Sequence, residues 1–350
     1  MSEKESFSVF APTRADLAGG TIDLWPVYNF FESGKTINVA LDLKAKIHFS
    51  FSSASTTEVV VHGMNSEVAR FSGKVTSDAI KKMPSSCQFP AHIVSSFFKT
   101  YEGLKNLHLE VKVESEAPPR SGLGGSSTIC VAMAKGLGKV YEKFTGEKWR
   151  WEILEWSKDV EAGFLRVPTG TQDYLASLFG GLNCFESRYG GITQTSYTPK
   201  VFTELSERAL VLYSGEMHHS GLSNWEVYKC AVEGKKSVLE GFEKIRAIAD
   251  QIDKVFKSTS VSWKEIGNLI SDEWKVRRET FQVHTPKLDE IVDFISKQPV
   301  LGVKVCGAAQ GGCLLTLVES NHRKALEEAC TKHGIQILKT SPYASGVHVK

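Results

Sequence analysis

The 350 residues carry 42 basic against 40 acidic side chains, a net charge of +2, too even a balance for the field that nucleic acid or an anionic lipid surface demands. Hydrophobic residues at 41% and charged residues at 23% exclude a disordered or fibrous chain, and the length suits two abutting domains better than one core. No stretch approaches the roughly 18 apolar residues of a membrane span, Met1 to Ser8 lacks the apolar core of a signal peptide, and seven scattered cysteines without a C-x-x-C pair read as reduced thiols of a cytoplasmic protein.

In chain order, Val39, Leu41 and Leu43 open an alternating segment that runs on to Phe51, and Leu107 to Glu114 alternates cleanly, so both predict strands. A Pro118-Pro119 break and a glycine-rich turn follow. Cys130, Met133, Ala134, Leu137, Val140, Tyr141 and Phe144 then recur at helical spacing, with Gly146 as a stop. A second amphipathic helix is expected from Trp151 to about Leu165. The glycine- and Ser/Thr-bearing stretch from Tyr189 to Lys200 reads as a crossing between domains, 1–195 and 196–350. Beyond it come a strand at Ala209 to Tyr213, a long helix through Val238 and Phe256, and a helix opened by Thr285-Pro286. The order from Gly302 to Lys339 is strand, glycine-rich turn, strand, helix, strand, which suggests an α+β domain with helices on one face of an antiparallel sheet.

The turn Pro118-Pro119-Arg120-Ser121-Gly122-Leu123-Gly124-Gly125-Ser126-Ser127-Thr128 lies between a strand and a helix. Its glycines let backbone approach a ligand closely, and the free N–H groups at the helix start favour a phosphate. It is neither a Walker A loop nor a Rossmann fingerprint. The plainer reading is a turn whose serines cap a helix.

This segment resembles the second motif of the GHMP kinases, P-x-x-x-G-L-G-S-S-A-A, and departs from it at Gly125 and Ser127. Its G-L-G-G-S-S-T form is similar to heptose-7-phosphate kinase-like and fucokinase-like sugar kinases. Ala11-Pro12-Thr13-Arg14 through Gly19-Gly20-Thr21-Ile22-Asp23 resembles the first motif, and Lys304 through Cys313, with Gly307 and Ala308, resembles the third, with Ala309 and Gln310 in place of two glycines. All three stand in family order.

The resemblance implies a two-domain α+β fold, with an N-terminal domain like ribosomal protein S5 domain 2 and a ferredoxin-like C-terminal domain. It also implies ATP and Mg²⁺ as cofactors. Gly122, Leu123, Gly124, Gly125, Ser126, Ser127 and Thr128 would wrap the phosphates, with Ser126 and Glu161 on the metal. The Pro-Thr-Gly-Thr-Gln-Asp stretch resembles the family's P-x-G-x-x-D segment and places Asp173 as the catalytic carboxylate, with Arg14 beside it and the transferred phosphoryl group. Gly19, Gly20, Asp23, Gly170, Gly307 and Ala308 would meet the acceptor. The plainer reading of Asp23 is a helix or turn cap.

Phosphoryl transfer rests on positioning and charge neutralisation, and these residue types suit that task. The partners expected are ATP and a small hydroxylated substrate, in a monomer or homodimer. A sugar or sugar phosphate leads as acceptor. Rival readings are a mevalonate kinase-type enzyme, a decarboxylase of the same superfamily, and an inactive nucleotide-binding regulatory protein. His218-His219-Ser220 reads as a loop near the acceptor or on the surface, and Trp225, Trp263 and Trp274 as packing residues.

Overall fold

A computed structural model describes residues 4–149, 152–216, 220–307 and 312–350, with the side chains at 220–224 left aside. The strands in chain order are β1 (Glu5–Ala18), β2 (Gly34–Ser53), β3 (Glu58–His62), β4 (Val68–Phe71), β5 (Leu107–Ser115), β6 (Leu182–Arg188), β7 (Gly191–Ser196), β8 (Ala209–Tyr213), β9 (Gly302–Val305), β10 (Cys313–Leu317), β11 (Gln336–Ile337) and β12 (His348–Val349). The helices are α1 (Ser77–Lys81), α2 (Ser85–Thr100), α3 (Gly125–Thr145), α4 (Ile153–Leu165), α5 (Gln172–Phe179), α6 (Pro199–Arg208), α7 (Ser220–Val232), α8 (Lys236–Lys257), α9 (Trp263–Val276), α10 (Pro286–Ser296) and α11 (Ser320–Lys332).

Among the described residues the strands form two sheets. The larger runs β12-β1-β2-β5-β3-β4, with β6 and β7 extending from β2. It is antiparallel except where β3 runs parallel to β5. The smaller, β11-β8-β10-β9, is wholly antiparallel.

Sequence pattern explains most elements. The alternation along β5 is that of a strand with one face buried, and its apolar residues are in the core. Thr285 caps α10 by accepting the Leu288 N–H at 3.2 Å, and Pro286 sits at the first helical turn, where its missing donor costs nothing. Gly146, at φ 78°, ends α3.

Two expectations change. Tyr189 to Lys200 holds more than a crossing: Arg188 and Gly191 close a hairpin between β6 and β7, which remains in the first sheet, and the chain passes to α6 and the second sheet only after Ser196. The end of the chain also leaves the second half, as β12 pairs with β1 through Val9↔Val349 and Phe10↔His348.

One apolar core lies under the first sheet, where Phe49, Val111 and Phe97 meet Met133 and Leu137 of α3. A second core is shared: Leu17, Ile37 and Val39 pack with Val211, Ile266 and Leu315. The two sheets are therefore fused through buried apolar surface, and the ends of β1 and β2 lie at the junction. The segment of β1 from Thr13 to Asp16 sits between two register shifts against β2, at Pro12/Thr13 and Asp16/Ala18. Such irregularities re-aim side chains. Arg14 and Asp16, two residues apart, share one face of the strand.

Candidate active site

A cavity of about 460 Å³ opens along the start of α3. The loop from Pro118 to Ser127 forms its floor. Its walls come from Met64, Ser85, Ser86, Phe89 and Val113, and from Thr21, Asp23, Leu24, Val167 to Gly170, Gln172, Trp225 and Tyr228. Arg14, Glu161, Asp173 and Gly307 also reach it.

The floor is built as the glycine pattern requires. Gly124 adopts φ 74° and ψ 25° immediately before α3, a left-handed conformation that costs glycine little. A Cβ there would come within 3.0 Å of the Asp173 carboxylate, so loop and carboxylate touch only because this residue is glycine. The next N–H groups, at Gly125, Ser126 and Ser127, belong to the first turn of a 21-residue helix and have no carbonyl one turn back. They are an anion site in waiting.

Asp173 lies in the first turn of α5, with its side chain 24% exposed. Arg14 Nε and Nη2 close on its Oδ1 at 2.7 and 2.6 Å, and Nη1 donates to the Gly122 carbonyl at 2.5 Å. One buried guanidinium thereby ties the catalytic carboxylate candidate to the glycine loop. Burial works against its charge, but Asp173 and Asp16 hold the guanidinium above its ordinary pKa.

Glu161, 2% exposed, stands under the helix start. Its Oε1 accepts from Ser126 Oγ at 2.5 Å; its Oε2 accepts from Ser127 Oγ at 2.7 Å and Tyr174 Oη at 2.6 Å. Burial pushes this carboxyl upward; the three hydroxyl bonds pull it back, and the nearby Asp173 adds to the rise. Ser126 spends its proton on Glu161 and keeps its oxygen lone pairs. The pair therefore offers hard oxygens side by side, the donor type that Mg²⁺ takes in small number from protein. A carboxyl pushed towards neutrality is also one that a dication would return to its charged form.

Several expected residues have other places. Asp23 caps α5: its Oδ2 accepts from the Thr171 and Gln172 N–H groups at 2.6 and 2.9 Å, while it also lines the cavity. Burial raises its pKa, partly offset by those two bonds. Gly170 packs against that carboxylate. Gly19 and Gly20 lie behind the wall and do not line the cavity: the Gly19 N–H donates to Glu273 and the Gly20 carbonyl accepts from Arg277. Leu123 is fully buried in the shared core, so only its backbone belongs to the loop. Thr128 points inward, its Oγ1 on the Gly124 carbonyl at 2.9 Å and beside Ser177 Oγ at 3.0 Å. Gly307 touches the loop, where a Cβ would fall 2.7 Å from the Gly122 carbonyl. Ala308 and His218-His219 lie outside the described residues.

Trp225, expected as packing, lines the cavity with its ring stacked on Tyr228 at 5.4 Å. Trp263 and Trp274 are buried. Sequence reasoning also missed Tyr174, whose signal was its place one residue after Asp173, and Asp16, two residues beyond Arg14 and therefore on the same strand face. No helix among the described residues is long and apolar enough to cross a membrane.

Comparison with known proteins bears on the family and the fold. The model of the GHMP kinases N terminal domain matches residues 89–181, and that of the GHMP kinases C terminal domain matches residues 259–336. Among curated proteins, the chain is 22% identical over 336 residues to the bifunctional fucokinase/GDP-fucose pyrophosphorylase of Arabidopsis thaliana, covering 92% of this chain but only 31% of that protein. It is 22% identical over 327 residues to the D-glycero-alpha-D-manno-heptose 7-phosphate kinase of Campylobacter jejuni, covering 92% of each. The structure of Lactococcus lactis galactokinase complexed with galactose superposes with a TM-score of 0.75 at 17% identity, over 98% of this chain and 95% of that one. At that identity the likeness speaks for the fold, two-domain and α+β. Both domain models, the curated relatives and the shared architecture place the chain in the GHMP kinase superfamily.

Proposed function

We propose that this protein is an ATP-dependent kinase that phosphorylates a hydroxyl of a sugar or sugar phosphate. The observation behind this reading is the contact of Asp173 with both Arg14 and the left-handed Gly124, which brings a carboxylate to the edge of an anion-binding helix start.

In this reading the N–H groups of Gly125, Ser126 and Ser127 would receive the ATP phosphates, and Ser126 with Glu161 would hold Mg²⁺, which supplies neutralisation of phosphate charge. Arg14 occupies Oδ1 of Asp173, leaving Oδ2 to meet the acceptor hydroxyl. The acceptor oxygen attacks the γ-phosphorus, the bond to the β-phosphate oxygen breaks, ADP leaves, and the acceptor proton passes to Asp173. Arg14 neutralises the equatorial oxygens of the moving phosphoryl group. The stacked Trp225 and Tyr228 give the cavity wall an aromatic surface for a ring such as a sugar's. The sugar-directed relatives favour that acceptor class over mevalonate. We also place the domain boundary after the β6–β7 hairpin, near residue 196.

The test is ADP release with Mg·ATP across heptose phosphates, fucose, galactose, mannose, glucuronate, mevalonate and phosphomevalonate. Acceptor-dependent release is expected from a sugar or sugar phosphate. Asp173→Ala and Arg14→Ala should each lower kcat on the order of a hundredfold or more. Undiminished turnover in Asp173→Ala would overturn its role, and turnover confined to mevalonate would overturn the acceptor class.

A further inference from the structure

Behind Arg14 runs a file of buried charges that phosphoryl transfer as described above does not use. Asp16 is 0% exposed and its Oδ1 lies 3.6 Å from Arg14 Nη1. Lys304, on β9 of the second sheet and also 0% exposed, places Nζ 2.6 Å from Asp16 Oδ2, 3.0 Å from Glu273 Oε1 and 3.4 Å from the Leu17 carbonyl. Arg277, in the π-helical turn Arg277–Phe281 that follows α9, donates to Glu273 Oε1 at 2.9 Å and to the Gly20 carbonyl at 2.5 Å. Counted from the cavity the order is Asp173, Arg14, Asp16, Lys304, Glu273, Arg277, alternating in sign and summing to zero.

The two inner carboxylates are not equally provided for. Glu273 has Arg277 as a second cation and the Gly19 N–H at 3.1 Å on its other oxygen. Asp16 has the Gly307 N–H at 2.7 Å on Oδ1, Lys304 in contact, Arg14 at 3.6 Å, and the more distant charge of Arg277, whose guanidinium is already bonded to Glu273 and the Gly20 carbonyl. A buried carboxylate deprived of its contact cation is a costly unpaired charge, and the ion-pair partner it has left is Arg14, 3.6 Å away. The guanidinium is one rigid plane, and its Nη1 stands 3.6 Å from Asp16 Oδ1 while Nε and Nη2 lie on Asp173. Closing that gap to hydrogen-bond distance moves the whole plane and draws the Nε–Nη2 edge off Asp173.

We propose that Lys304 is a positioning residue for the Arg14–Asp173 pair: by neutralising Asp16 it leaves Arg14 free to turn its Nε–Nη2 edge on Asp173. This rests on the reading of that pair given under Proposed function. The second sheet thus acts on the catalytic carboxylate through two intermediaries without itself touching the reacting atoms.

The test is a cycle of Lys304→Met, Asp16→Asn and the double variant, read first by the Arg14 Nε–H signal in ¹⁵N-arginine-labelled protein and assigned by its loss in Arg14→Lys. In Lys304→Met that signal should leave its parent position. Adding Asp16→Asn, which restores the charge balance, should return it towards the parent. In parallel kcat should fall on the order of a hundredfold in Lys304→Met, with KM for ATP close to the parent's, and recover in part in the double variant. A role confined to holding the fold would make the double variant at least as impaired as the single one.

An unmoved Nε–H signal in Lys304→Met, or a double variant with the signal still displaced, would refute the proposal. If Lys304→Met fails to fold, the charge-balanced double variant still decides: a folded protein with a parent-like signal supports the proposal, and an unfolded one or a displaced signal refutes it. A parent lacking acceptor-dependent ADP release would sink the kinase reading, yet the Nε–H signal would still decide the role of Lys304.

Discussion

At the glycine-loop end of the cavity, the buried carboxylate of Glu161 is surrounded by the hydroxyls of Ser126, Ser127 and Tyr174. At the junction of the two sheets, Asp16 is equally buried but faces Lys304, Arg14 and Arg277. Burial raises the pKa of both groups. Hydroxyls only partly offset that rise, and Glu161 ends above its ordinary range. Cations overturn it, and Asp16 ends well below. A carboxylate solvated by neutral donors still has charge to offer an incoming cation. One matched by resident cations has none to spare and serves as a strut. Similar depth in the protein therefore yields two different tools, decided by the company each group keeps.

The opposite directions also fix opposite pH dependences. The stability Asp16 contributes is present above its unfolded-state pKa and lost as pH falls through its depressed folded value. Glu161 favours the folded state while protonated. That contribution fades as pH rises through its elevated folded value, unless a dication takes up the charge.

Removing one side of each arrangement should break the symmetry most visibly. Lys304→Met should lower the unfolding free energy by about 3–5 kcal/mol, the cost of stranding a buried charge, measured by urea titration. Equal losses in Lys304→Met and Glu161→Gln would erase the distinction drawn here.

Metal dependence should come next. Mg²⁺ added to ATP should stabilise the parent by up to roughly 2–3 kcal/mol beyond ATP with chelator when the metal is near a hundredfold over its Kd. That increment should shrink as pH is lowered through the raised range of Glu161, where protons compete. A thermal-shift series in pH checks this, and an increment independent of pH would contradict it. Glu161→Gln should cost about 1–3 kcal/mol by leaving hydroxyl partners ill-matched, and should flatten the Mg²⁺ increment at every pH.

The smallest effect belongs to Tyr174→Phe. Loss of one hydroxyl bond should cost about 0.5–1.5 kcal/mol. Because that bond favours the ionised form of Glu161, its loss should also move the onset of the Mg²⁺ increment to higher pH. A shift to lower pH would contradict the account of the hydroxyl cage.

What the sequence disclosed follows the range of the interactions concerned. Helix α3 and its glycine entry are written in adjacent residues: a period of three and four, a stop at Gly146, and glycines where the backbone must turn left-handed. The hairpin at Arg188–Gly191 was equally local, yet its two glycines read as a linker because β7 is mostly exposed and lacks an apolar face. The dual placement of Asp23 could not be decided from spacing, since one carboxylate both caps α5 and borders the cavity. Lys304 was the least legible. Between Val303 and Val305 a lysine reads as the solvent side of an alternating strand, but β9 is buried on both faces, and the partner that makes such burial tolerable lies far away in sequence.

Asp16 and Lys304 are 288 residues apart, so the order of synthesis imposes an order of assembly. A chain made from its N-terminus can lay down most of the first sheet, α3 and α5 before Lys304 exists. During that interval Asp16 has no Lys304 to neutralise it, and the proposed role of that lysine has Arg14 drawn towards Asp16 instead. Closing so large a loop costs little more entropy than closing one half its length, but it is a late event, because non-local contacts wait for the segments that make them. If Lys304 positions the pair as proposed, Arg14 and Asp173 align only once the second sheet has docked.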